Sequence, residues 1–179
     1  RQRQMCIRDR NEDLQMTEVM TRPISGGPEW IEVYNDNAFA TSLYGWSINT
    51  SSGSTSNEVL LQGGVIQGHS VALFTGSLAS QEQGNASQMF DLGQYGLLGT
   101  GSMNLLDDGS GVIELRFTRP GKVNPIPNSK AEWGPQAGLP VGLNQVIVWD
   151  GTNTMSSTAW SVQTGPTPGD VFFEPSNAS

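Results

Sequence analysis

Cysteine and histidine are almost absent from this chain, which holds one of each, Cys6 and His69. A disulfide framework and a zinc site built on thiolates or several imidazoles are therefore excluded, and a Ser-His-Asp triad would have to run through His69. Basic residues are scarce as well, 9 against 17 acidic, so the net charge is -8 and the pI about 4.4. Such a surface repels phosphates and anionic headgroups, which argues against nucleic-acid binding and against adhesion to acidic lipid. No apolar run approaches the roughly 18 to 20 residues that a membrane helix needs, and no membrane insertion is expected. What is abundant is punctuation: 22 Gly and 10 Pro, with many Ser, Thr and Asn, beside 36% hydrophobic and 15% charged residues. That balance favours short strands joined by turns over a helical bundle, and 179 residues suffice for one domain with a core.

The opening run RQRQMCIRDR (residues 1–10) carries the cysteine and shows no hydrophobic periodicity. Back-translated in one frame it resembles the transposon adapter of sequencing libraries, so residues 1–10 are expected to be an artefact outside the fold. Setting aside Arg1, Arg3, Arg8, Arg10 and Asp9 from the 9 basic and 17 acidic residues leaves 5 and 16, a charge of -11. An adapter fused in frame also implies a coding sequence that begins upstream, so the lack of a visible signal peptide does not argue for the cytoplasm.

From Asn11 onward the pattern reads strand, turn, strand. Leu14 to Met20 alternates, with Leu14, Met16, Glu18 and Met20 expected on one face and Gln15, Thr17 and Val19 on the other. In Glu29 to Asn35, Ile31 and Val33 share one face and Trp30, Glu32 and Tyr34 the other. Ser42 to Asn49 reads as a third strand, with Gly45 as a bulge. Val59 to Leu61, Val65-Ile66 and Ser70 to Thr75 follow, and residues 76–100 read as a long connection. Met103 to Leu106, a turn at residues 107–111, and Val112 to Thr118 predict a hairpin. Prolines at 120, 125, 127, 135 and 140 predict an irregular insertion near 120–144, before strands at Gln145 to Trp149 and Ala159 to Val162. About eight to ten short strands predict an antiparallel two-sheet β-sandwich over residues 11–170, with 171–179 as a tail.

The motifs MTEV (Met16 to Val19), EWIEVYN (Glu29 to Asn35), LYGWSI (Leu43 to Ile48), GGVIQGHSVALFTGS (Gly63 to Ser77) and SMNLLDDGSGVIELRFT (Ser102 to Thr118) resemble the lamin tail domain in order and spacing. PTPGD (Pro166 to Asp170) resembles the ending of bacterial members. The resemblance implies an immunoglobulin-like β-sandwich, and its Glu-rich form implies the prokaryotic branch, found in secreted or surface-attached multidomain proteins, some beside hydrolases or nucleases. The chain departs from nuclear lamins in lacking a coiled-coil rod and a basic surface, which removes the ground for a chromatin role.

Among candidate site residues, His69 stands in a Gly-His-Ser turn without a nucleophile elbow or a metalloprotease helix, and reads as structural or exposed. Glu18, Glu29, Glu32 and Asp36 would offer hard oxygen ligands to a divalent cation if the first two strands are neighbours; the alternative is a solvated polar face. Asp107 and Asp108 would also suit calcium, although a tight turn demands Asp-Gly in any case. No other cofactor is expected. Trp46 reads as core, whereas Trp133, Trp160 and Trp30 are candidate platforms for sugar rings or a protein partner, with packing under a loop as the alternative for Trp133 and either face open to Trp30. Gly96 to Gly101 lacks the Lys and the following helix of a phosphate loop.

The expectation is therefore a non-catalytic binding or attachment module of a larger secreted or cell-surface protein, recognising protein or polysaccharide through loops at 50–57, 76–100 and 120–144. The alternatives are a carbohydrate-binding module, or an accessory domain of a secreted hydrolase or nuclease.

Overall fold

Alternation of apolar and polar side chains builds most of the architecture in the computed structural model, which describes residues 14–24, 27–76, 83–92 and 109–170. The described residues form twelve strands: β1 (Leu14–Met20), β2 (Trp30–Asn35), β3 (Thr41–Ser42), β4 (Trp46–Ser52), β5 (Thr55–Leu61), β6 (Val65–Ile66), β7 (Val71–Thr75), β8 (Gln88–Asp91), β9 (Gly111–Phe117), β10 (Ile126–Trp133), β11 (Gln145–Trp149) and β12 (Trp160–Thr164). A six-stranded sheet runs in the order β12-β11-β1-β2-β7-β8 and a four-stranded sheet in the order β10-β9-β4-β5. All neighbours are antiparallel except β7 and β8. The fold is the expected all-β sandwich, with more strands than the sequence pattern marks.

Leu14, Met16, Val19, Ile31, Val33, Phe74 and Ile147 from the larger sheet meet Trp46, Ile48, Val59, Ile113, Leu115 and Trp133 from the smaller one in the main core. Burial of these side chains, at roughly 1.5 to 3 kcal/mol each, is the dominant favourable contribution to the fold. A second apolar layer, including Met20, Trp30, Tyr34, Leu73, Val146 and Val148, lies on the outer face of the six-stranded sheet.

The two sheets are joined by a two-stranded ribbon of β3 and β6, which pair Thr41 with Ile66 and Ser42 with Val65. Asn35 ties this corner together. Its buried amide nitrogen donates to the carbonyls of Phe39, Ile66 and Gln67, and its oxygen accepts from the Asn37 amide and the Thr41 hydroxyl. Five hydrogen bonds from one side chain replace the backbone ladder where the chain passes between sheets.

Three expectations need correction. The expected third strand is broken into β3 and β4, because Gly45 adopts φ 89° in a turn and the amide of Trp46 donates to the Leu43 carbonyl. Residues 120–144 are not wholly irregular: β10 pairs along its length with β9 and carries buried Ser129, Ala131 and Trp133. Its Pro127 is tolerated because β10 lies at the edge of its sheet, with a bulge between Pro127 and Ser129. Side chains of β10 also reach the other sheet, where the Met16 amide donates to Ser129 Oγ and Asn128 Nδ2 donates to the Leu14 carbonyl. Finally, β1 does not keep one face throughout. A register shift between Met16 and Glu18 leaves Leu14, Met16 and Val19 inside, and turns Glu18 and Met20 outward. Of the expected hairpin, the second arm is β9; the first arm lies outside the described residues.

Candidate functional site

The shift in β1 has a chemical result, because it places Glu18 directly opposite Glu32 of β2. Directly opposed residues in an antiparallel pair have Cβ atoms about 4.5 to 5.5 Å apart, so two carboxylates share one spot on the outer face of the sheet. Neither is solvated: Glu18 is 1% and Glu32 0% exposed. Their cross-strand neighbours on the far sides are Val148 of β11 and Leu73 of β7, both buried and apolar.

Residues 165–170 close over the pair as a strap. After β12 the chain crosses the sheet, and Thr167 to Asp170 forms a tight turn in which the Asp170 amide donates to the Thr167 carbonyl at 3.0 Å. Pro168 at the second position and Gly169 at the third, with φ 90°, are what a type II turn demands. Such a turn leaves the third residue's N–H free, and it donates to Glu32 Oε2 at 2.6 Å. Glu32 Oε1 accepts from the Thr17 hydroxyl at 2.5 Å. The Thr167 amide donates to Glu18 Oε1 at 3.1 Å, and the Thr167 hydroxyl donates to Glu18 Oε2 at 3.3 Å. Beyond β2, the strap is received by the segment before β8, where the Asn85 amide donates to the Pro168 carbonyl and Asn85 Nδ2 to Asp170 Oδ1. The fit is close enough to require glycine on both sides. A Cβ on Gly169 would stand 2.1 Å from Ala86 N, and one on Gly84 would stand 2.2 Å from the Pro168 carbonyl oxygen.

Burial pushes the Glu18 carboxyl up to about 7; the Thr167 amide and hydroxyl pull it down, while the charges of Glu32 and Asp170 push it further up. Burial likewise pushes Glu32 up to about 7, against the donors Thr17 and Gly169 and with help from Asp170. Protonation at neutral pH is thus within reach of both groups, as general acid-base chemistry would require. Access is not: both carboxyls are spent on the protein's own donors beneath the strap.

The other candidate residues are dispersed. Glu29 precedes β2 and Asp36 follows it, so of the four carboxylates expected to converge only Glu18 and Glu32 do so, and they are buried instead of forming a solvated face. Among the described residues no group of three or more His, Cys, Asp or Glu is gathered as a metal would require. Asp107 and Asp108 lie outside the described residues. His69 is exposed at φ 49°, with Nδ1 3.4 Å from the Tyr34 hydroxyl.

All three tryptophans expected as exposed platforms are interior. Trp133 is 2% exposed, because its ring lies across its cross-strand partner Gly111, where a Cβ would stand 2.5 Å from the indole. Trp160 pairs with Trp149 in the main core, and Trp30 lies in the outer layer between Met20 and Thr75. Among the described residues the exposed aromatics are others: Phe39 is 80% and Tyr44 77% exposed, both flanking β3, and Val65 on β6 is exposed beside them in register with Ser42. Residues 50–57 form the tip of the β4–β5 hairpin, with Ser52 opposite Thr55. Sequence reasoning missed the strap's role, although the Thr-Pro-Gly-Asp turn was legible in principle from its Pro-Gly pair. No family model matches the chain, and no match was found among the curated proteins.

Proposed function

We propose that this chain is a non-catalytic binding or attachment module of a larger secreted or cell-surface protein, built on a sandwich of the lamin-tail type. One observation carries the reading: the carboxylate pair, the site among the described residues most suited to acid-base chemistry, is enclosed by residues 165–170 and serves to hold that strap. The order of motifs along the chain and the all-β sandwich support the family resemblance. Among the exposed apolar side chains of the described residues, Phe39, Tyr44 and Val65 gather on and beside the inter-sheet ribbon and take the place of the tryptophans as the surface offered to a protein or polysaccharide partner. The proposal needs no cofactor. Among the described residues the carbohydrate-binding alternative now rests on Phe39 and Tyr44.

The test is an activity screen of the full chain on chromogenic esters, aryl glycosides and plasmid DNA, with Glu32→Gln in parallel. No turnover above buffer is expected for either protein. Turnover by the wild type that Glu32→Gln abolishes, in a variant with an unchanged circular dichroism spectrum, overturns the proposal.

A further inference from the structure

We propose that residues 165–170 are a proton-controlled latch, closed over the outer face of the six-stranded sheet while Glu18 and Glu32 carry protons and released as they ionise. The geometry sets this up in three ways. The strap runs across the strands and is not part of a ladder, so it lacks the cooperative support of a sheet. Its anchors are few: the Thr167 and Gly169 amides on the two carboxyls, the Asn85 bonds at its far end, and the Gly165 amide on the Asn144 carbonyl at its near end. And the carboxyls it covers are opposed in register and shut off from bulk solvent, so that ionising both puts two buried like charges side by side.

The groups packed around the pair decide the direction. Val148 of β11 and Leu73 of β7 bring no charge, Thr17 and Thr167 bring hydroxyls, Asn85 brings an amide, and Asp170 of the strap adds a third negative group. Among the described residues no cation acts on either carboxyl. Ionised carboxylates accept N–H bonds more strongly than neutral ones, which would favour the closed strap. That gain is outweighed, since both groups stand near 7 with those bonds already in place. Lifting the strap lets water reach the carboxylates and returns them toward 4.5. Ionisation and release are therefore linked, and the latch loosens as pH rises toward and past 7.

The test is amide hydrogen exchange on the full chain, as protection factors corrected for intrinsic rates, at pH 5 and pH 8. Thr167 and Gly169 are expected to lose about tenfold or more in protection between the two, while Ile31 and Val33 in the core change less. The double variant Glu18→Gln/Glu32→Gln is expected to show no such loss. Equal wild-type protection at the two pH values, or the same loss in the double variant, overturns the latch. If the double variant does not fold, Asp170→Asn serves instead: it keeps an oxygen for Asn85 and removes a charge that both carboxyls feel.

 Amplitude is the readout: without the Asp170 charge the closed carboxyls ionise more readily, so the loss of protection between pH 5 and pH 8 shrinks, and an undiminished loss overturns the latch.

Discussion

Urea midpoints of the whole domain will fall as pH is raised from about 4.5 to about 7, the reverse of the usual behaviour of paired carboxylates. The direction follows from burial. Glu18 and Glu32 bind protons more tightly in the fold than in the unfolded chain, so their stabilising contribution is fully present below the unfolded value of 4.5 and is lost as pH rises through about 7. A shift of this size corresponds to roughly 3 kcal/mol for each group, an upper bound, since local opening of the strap relieves part of it and the two are not additive. At pH 8 Glu32→Gln is therefore expected to be more stable than the wild type, because an amide keeps an acceptor for Gly169 without a buried charge. At pH 4.5 the order closes up or reverses. Asp150 acts in the opposite sense: the Thr152 hydroxyl and amide hold it below its ordinary 3.8, so its contribution is lost only as pH falls below that range.

Replacing Trp46 with alanine will produce the largest loss in the main core. Trp46 is 1% exposed at the start of β4, where its ring meets Phe117 at a centroid distance of 5.1 Å and its strand pairs with β5 and β9 at Leu61 and Phe117. Removal of a ring so enclosed costs about 3 to 5 kcal/mol, which is a large share of the 5 to 15 kcal/mol that separates folded from unfolded domains of this kind. Trp46→Phe should cost about 1 kcal/mol, because the lost volume is smaller and the indole N–H, which has no hydrogen-bond partner among the described residues, is removed with it. Equilibrium urea unfolding of both variants at one pH checks the order. Equal losses would show that the ring's volume is not what the core depends on.

Legibility in the sequence followed how locally each feature is determined. β7 and β11 could be read because each is a short unbroken apolar run, and β2 because its two faces could be told apart, with Ile31 and Val33 set against Trp30, Glu32 and Tyr34 as expected. β10 was hidden because Pro125, Pro127, Lys130 and Glu132 make an edge strand look like a loop, and its evidence lies in β9, its partner. The tryptophans were misread for a related reason: the room for the Trp133 ring is provided by Gly111, its cross-strand partner, which nothing near Trp133 in the chain reveals.

The carboxylate pair was half visible. Glu18 and Glu32 were recognisable as neighbours if β1 and β2 paired, yet strict alternation put Glu18 on the same face as Leu14 and Met16, and only the shift in β1 separates them. Their burial was beyond reach of local reasoning, because the cover arrives from Thr167 and Gly169, more than a hundred residues along the chain. A solvated acidic face and a closed, protonatable pair have the same local sequence; the difference is made by a turn at the other end of the domain.

The measurement that bears most directly on this account is a carbon-13 NMR titration of the glutamate side-chain carboxyls in the full chain, with Glu18 and Glu32 assigned by the corresponding Gln variants. The account predicts that both titrate near 7, well above the ordinary 4.5, with the amide signals of Thr167 and Gly169 moving over the same range. Two carboxyls that titrate near 4.5 while those amides stay unchanged would contradict it, and would place the pair in water with no strap closed over it.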